Sequence, residues 1–209
     1  MRLVAVRNGE AGAGELLDQM HALRARVFDD RLGWDVDVTD GREADEYDSF
    51  DPTYILTVTP DSSRVAGCAR LLPGAGPTML GRTFRALLDG RPMPRHPRLI
   101  ESSRFCVDTG RADGVAAARG LHRTTLTLFA GILEWSIANG YSEVATVTDL
   151  RFERILGRAG LPFRRLGAPR PIGNTIAIAG IIPATTEHAL SVRPAGYAPF
   201  CVDQARLAA

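Results

Sequence analysis

The chain has 209 residues, 45% of them apolar and 23% charged, which suits a folded protein with one core and excludes global disorder. Its formal charge of +1 gives no support to nucleic-acid binding along the whole chain. No apolar run approaches the ~20 residues of a membrane span, and the N-terminus lacks the apolar segment of a secretory signal, so a cytoplasmic protein is expected.

In chain order, the first predicted element is an amphipathic helix over residues 15–31, where Leu16, Met20, Leu23, Val27 and Phe28 recur at helical spacing. Residues 29–51 then hold ten acids against Arg31 and Arg42, a local charge that the chain average hides. The polar stretch 32–51 is long for a connection, and loops of that length usually serve function. Two strands, 54–60 and 64–73, flank a turn at Asp61-Ser62-Ser63 and read as a hairpin. A short helix is expected over 78–89, followed by the Pro-rich loop RPMPRHPR.

The next strand, LIESSRFCVD at 99–108, carries Glu101, Ser102, Ser103 and Arg104 inside an apolar frame. Strict alternation points Glu101, Ser103 and Phe105 to one face and Ser102, Arg104 and Cys106 to the other. A carboxylate and a guanidinium in such a strand cost several kcal/mol (of the order of 3–5) unless each is paired, so both need partners elsewhere in the fold. A turn-rich connection, TGRADGVAAARG, leads to a long helix over 120–138, stopped by Asn139-Gly140. A strand at 142–149, a helix at 150–160 ended by Gly160, and strands around 162–166 and 174–182 complete the list. Arg151, Arg154 and Arg158 fall on neighbouring turns of that helix, in a segment (151–170) with six arginines against Glu153, which suits an anion or an acidic partner.

The order predicts an α/β fold with a mainly central sheet and a parallel pair at its centre, where helices follow the third and fourth strands. It resembles the GNAT-like acyltransferase fold, a central mixed sheet flanked by helices in a single domain. Cys68, Cys106 and Cys201 form no CxxC pair and the four histidines do not cluster near them, so buried thiols are expected and no metal site.

The spacing Arg24-x3-Phe28-x5-Trp34-x10-Asp45-x2-Asp48, followed by Arg70, Phe84 and Glu101-x-Ser103-Arg104, resembles the signature of the acyl-homoserine-lactone synthases, the autoinducer-making enzymes of bacterial quorum sensing. All ten positions match, and RLLPGAGPTML, ESSRFCVD and TDLRFERIL are similar to the rhizobial members. The resemblance implies one domain over 1–209, with residues 1–52 as the S-adenosylmethionine side and 53–209 as the acyltransferase core. It implies transfer of an acyl group from acyl carrier protein, or from acyl-CoA, to the amine of S-adenosylmethionine. Lactonisation with loss of methylthioadenosine follows. No cofactor or metal is implied, since S-adenosylmethionine is a substrate.

Under that resemblance Glu101 is expected to be the general base, with Ser103 beside it as a positioning group. Arg24, Phe28, Trp34, Asp45, Asp48 and Arg104 are expected to hold S-adenosylmethionine, by charge-assisted bonds and aromatic faces. Arg70 and Arg104 are also expected to pair with acids of the N-terminal region. Phe84, Phe105 and Thr146 are expected at the acyl pocket, Thr146 aligning with the family position associated with 3-oxo chains. Arg151, Arg154 and Arg158 would dock the carrier protein. Two alternatives stand beside this reading. Arg111-x-x-Gly114-x-Ala116 fits a short phosphate-loop pattern of acetyl-CoA-dependent N-acetyltransferases, and a non-catalytic S-adenosylmethionine sensor would share the binding residues.

Overall fold

The structure, a computed structural model, describes residues 1–61, 63–109, 116–117 and 120–200. Ser62 of the expected hairpin turn, Arg111 and Gly114 of the phosphate-loop pattern, and Cys201 lie outside the described residues.

Strand β1 (Arg2–Arg7) precedes helix α1 (Ala13–Ala25), which runs on as a π-helix over Arg26–Arg31. The acidic stretch contains a small ribbon, β2 (Val38–Thr39) with β3 (Arg42–Glu43), and a 3-10 turn at Glu46–Ser49. Then come β4 (Thr53–Val58), β5 (Val65–Pro73) and β6 (Leu99–Val107). Two short strands, β7 (Ala116–Ala117) and β8 (Leu121–His122), pair just before α2 (Arg123–Ala138). Strand β9 (Glu143–Asp149), α3 (Leu150–Ala159), β10 (Arg164–Arg165), β11 (Arg170–Ile172), β12 (Thr175–Pro183) and α4 (Thr186–Ser191) follow. β1, the β2–β3 and β7–β8 ribbons, β11 and α4 fall outside the expected elements.

One sheet organises the chain, in the order β1-β4-β5-β6-β9-β12-β10, with β11 also on β12. Its neighbours are antiparallel except the central pair β6 and β9, as the order of helices and strands implies. That pairing covers only Leu99–Ser102 against Glu143–Thr146. Past it, β6 continues along β5 and β9 along β12, so the sheet splits between them.

Each face of the sheet is covered by its own helices. α2 lays Leu128, Phe129, Ile132 and Leu133 on one face, in a cluster with Leu71, Ile100, Val144 and Leu156 of α3. α1 packs Met20 and Leu23, joined by Phe28, on the other, against Tyr54, Leu56, Cys68 and Cys106. The sheet is thus buried on both sides, which explains the unbroken apolar run TYILTV of β4.

Two expectations need correction. Residues 78–89 form turns, with helical geometry only in a 3-10 turn at Arg85–Leu88. The backbone N–H groups of Met79 and Leu80 donate to the Glu101 carboxylate, so the segment satisfies its backbone on a strand side chain instead of within a helix. The helix expected from 120 starts at Arg123, because Leu121 and His122 are taken by the β7–β8 ribbon.

Candidate active site

Three arginines and three carboxylates meet where α1, the acidic stretch, β5 and β6 converge. Arg24 donates from Nε to Glu43 at 2.5 Å and from Nη1 and Nη2 to the two oxygens of Asp48 at 2.8 and 2.9 Å. Arg70 reaches both oxygens of Asp45, at 2.5 and 3.0 Å, and Asp48 Oδ1 at 2.8 Å. Arg104 reaches Glu43 at 3.0 Å and Asp45 at 2.7 Å. The formal charges cancel, which is what allows Arg24, Glu43 and Arg70 to lie at 0% exposure. Asp45 and Asp48 also cap the 3-10 turn with a reciprocal capping box, so the acidic loop is organised by the network it feeds.

Burial pushes the Asp48 carboxyl up, but the Arg24 bond and the charges of Arg24 and Arg70 outweigh it and hold the group well below its ordinary 3.8. A carboxyl depressed on folding contributes stability that is fully present above its unfolded pKa and is lost as pH falls below it. The melting temperature should therefore hold from pH 7 to about 4.5 and fall steeply below about 4. A Tm unchanged at pH 3 would contradict the assigned pairing.

Glu43 is the residue that sequence reasoning missed. It bridges Arg24 and Arg104, yet in a stretch of ten acids nothing marked it out from its neighbours. Arg24 also departs from expectation. All three of its nitrogens are engaged and it has no exposed surface, so it braces the loop and is not open to a substrate.

The β6 strand does not alternate strictly. Cys68 pairs with Cys106 but Arg70 with Ser103, so β6 holds one extra residue there, and Arg104 takes a positive φ of 52°. This bulge turns Arg104 onto the face of Glu101 and Ser103, where it reaches Glu43, Asp45 and the Phe28 ring, 5.5 Å from the guanidinium carbon. It also sends Phe105 to the opposite face with Ser102. A non-glycine residue at such φ costs of the order of 1–3 kcal/mol, offset here by the ion pairs it makes.

Glu101 is 1% exposed and accepts Met79 N–H at 2.8 Å on one oxygen and Leu80 N–H at 2.7 Å on the other. Burial raises its carboxyl above the ordinary value, against these two bonds. Ser103 Oγ accepts from Arg70 Nε at 3.1 Å, leaving its own proton to donate. Phe28 and Trp34 stack at 5.2 Å with planes 9° apart.

On the other face lies an apolar cavity of about 30 Å³, lined by Ser102, Phe105, Phe129, Leu133, Thr146 and Phe152 among others. Phe105 and Thr146, two of the three residues expected at an acyl pocket, both line this cavity. Phe84 does not: it packs with Tyr47, Leu72 and Met79 on the ion-pair side of the sheet. Arg151, Arg154 and Arg158 are exposed on α3, Arg158 donating to the Gly120 carbonyl at 3.2 Å. Among the described residues no group of His, Cys, Asp and Glu side chains could hold a metal, and no helix is long and apolar enough to cross a membrane.

Comparison with known proteins gives one consistent picture. The family model described as Autoinducer synthase matches residues 11–192. An acyl-homoserine-lactone synthase of Agrobacterium fabrum is 59% identical over 181 residues, 87% of this chain and 85% of that protein. The crystal structure of the AHL synthase LasI superposes with a TM-score of 0.81 at 34% identity, covering 97% of each chain. A CoA-dependent acyl-homoserine lactone synthase, BjaI, solved with SAM and isopentyl-CoA, gives a TM-score of 0.80 at 26% identity, covering 91% of this chain and 87% of that one.

Proposed function

This chain belongs to the autoinducer synthase family and is an acyl-homoserine-lactone synthase, an acyltransferase of GNAT-like fold, and from that premise we propose how its residues divide the work. The observation that carries the proposal is the split between β6 and β9, which has the polar ion-paired site on one face and the apolar cavity on the other.

S-adenosylmethionine binds on the polar face. Its adenine or sulfonium meets the Phe28–Trp34 stack, and its carboxylate meets Arg104, whose side chain is 11% exposed against 0% for Arg24 and Arg70. Asp45 and Asp48, partly exposed, face the positive groups. The acyl chain enters the apolar cavity. Its thioester arm lies in the split, where backbone groups of 103–107 and 147–149 have no partner across the gap.

The amine must shed a proton before it attacks. Glu101, directly or through water, accepts that proton, and Ser103 orients the amine. The nitrogen then forms an amide with the acyl carbon and the thiol of the donor leaves. The methionine carboxylate next attacks its own γ-carbon, closes the lactone and expels methylthioadenosine. No cofactor enters this sequence. The exposed Arg151, Arg154 and Arg158 suit an acidic acyl carrier protein as donor, and the enzyme is read as cytoplasmic.

Purified protein, S-adenosylmethionine and a panel of acyl carrier protein and CoA thioesters should yield acyl-homoserine lactone one-for-one with methylthioadenosine by mass spectrometry. Thr146→Val in the same assay should slow 3-oxo donors about tenfold while leaving unsubstituted ones within about twofold, because only the former lose a hydrogen bond. Equal effects on both would remove Thr146 from donor choice, and acetylated product alone would favour the acetyltransferase.

A further inference from the structure

A contact joins the turn after the π-helix to the hairpin of β11 and β12. β11 and β12 form a hairpin whose last pair is Ile172 with Thr175, so its turn is Gly173-Asn174, with the glycine at a φ of 55°. β12 meets β9 only from Ala177 opposite Asp149 onward, so this turn projects past the end of β9, on the side where the sheet splits. There Asn174 Nδ2 donates to the carbonyls of Leu32 at 2.8 Å and Gly33 at 3.1 Å.

Those carbonyls follow the π-helix Arg26–Arg31. The N–H groups of Leu32, Gly33 and Trp34 fold back onto Val27, Asp29 and Phe28, which leaves the carbonyl side of the turn without helical partners. Asn174 supplies one amide to two of them from 142 and 141 residues away. The next residue is Trp34, whose ring stacks on Phe28, beneath the Arg104 guanidinium on the β6 side of the split. One side-chain amide thus ties the β12 side of the gap to the aromatic pair on the β6 side. Asn174, Leu32 and Gly33 are all exposed, so the tie breaks at little cost.

We propose that Asn174 is a positioning residue for S-adenosylmethionine: it caps the Leu32–Trp34 turn from across the split, holds Trp34 on Phe28, and releases and remakes that bridge as substrate enters. The proposal rests on the reading of Phe28 and Trp34 as the S-adenosylmethionine surface.

The test uses a Trp135→Phe background, which leaves Trp34 as the only tryptophan of the chain. Trp34 fluorescence is titrated with S-adenosylmethionine, and methylthioadenosine release is measured in parallel, for Asn174, Asn174→Ala and Asn174→Asp. Aspartate keeps the shape and turn chemistry of asparagine but cannot donate. Both variants should bind S-adenosylmethionine about five- to tenfold more weakly and raise its KM alike, with kcat within about twofold and Tm nearly constant. An aspartate variant equal to the parent would reduce Asn174 to a turn former, and unchanged affinity in both would overturn the proposal. A parent that binds but releases no methylthioadenosine would overturn the catalytic reading alone, since the titration decides Asn174 by itself.

Discussion

Glu43→Gln should lower folding stability by about 3–5 kcal/mol, a Tm loss of roughly 10 °C, and abolish turnover. The residue sits at 0% exposure between the Nε atoms of Arg24 and Arg104. A glutamine fills the same space but removes one of three negative charges that balance three buried or part-buried guanidinium groups. Its NH2 also presents donors to donors. Arg24 retains Asp48 and Arg104 retains Asp45, so the chain should still fold at low temperature, with the acidic loop loosened. Thermal denaturation of the variant reads the cost directly. A Tm within about 3 °C of the parent would mean that the network tolerates an uncompensated charge, contrary to the penalty expected of a buried one.

The second large effect belongs to Glu101→Gln, with kcat/KM expected to fall by about 10²–10⁴. Two causes contribute, and pH separates them. The amide has one oxygen to accept Met79 or Leu80, so one N–H of that turn meets an NH2 group, at a cost of about 1–3 kcal/mol. This turn carries Met79, whose sulfur lies 3.1 Å from Arg70, so a shift reaches the ion-paired site. If Glu101 is also the proton acceptor, activity in the parent rises with pH as its carboxyl ionises. Burial raises that carboxyl, so the acid limb of kcat/KM should lie above the ordinary 4.5 of a glutamate. Glutamine should then erase the limb as well as lower the plateau. A variant that keeps the acid limb at reduced height would make Glu101 the anchor of the 78–81 turn and assign the proton to another group.

Much of this protein was legible from residues alone. Periodicity and turn chemistry located α1, the β4–β5 hairpin, β6, α2, β9 and α3, because in each the pattern that buries a face is local. The spacing of Arg24, Phe28, Trp34, Asp45 and Asp48 with Glu101, Ser103 and Arg104 carried the resemblance that implied the chemistry, and the same resemblance implied the pairing of Arg70 and Arg104 with N-terminal acids, which the structure shows. What stayed hidden depended on partners far along the chain. Glu43 could not be told from nine neighbouring acids until the fold brought two arginines to it. The bulge at Arg104 leaves no mark on the order of residues, since a misfit of one residue between β5 and β6 belongs to the pair of strands and to neither alone. Residues 78–89 had helical composition but gave their first N–H groups to a strand carboxylate, and Phe84 went with them to the ion-pair side. Composition and periodicity therefore determined the fold class, and the resemblance carried by the spaced residues implied the chemistry. Which side of the sheet each group faces, and which groups are left open to substrate, was decided by long-range pairing, where a buried charge settles on whatever partner the fold delivers.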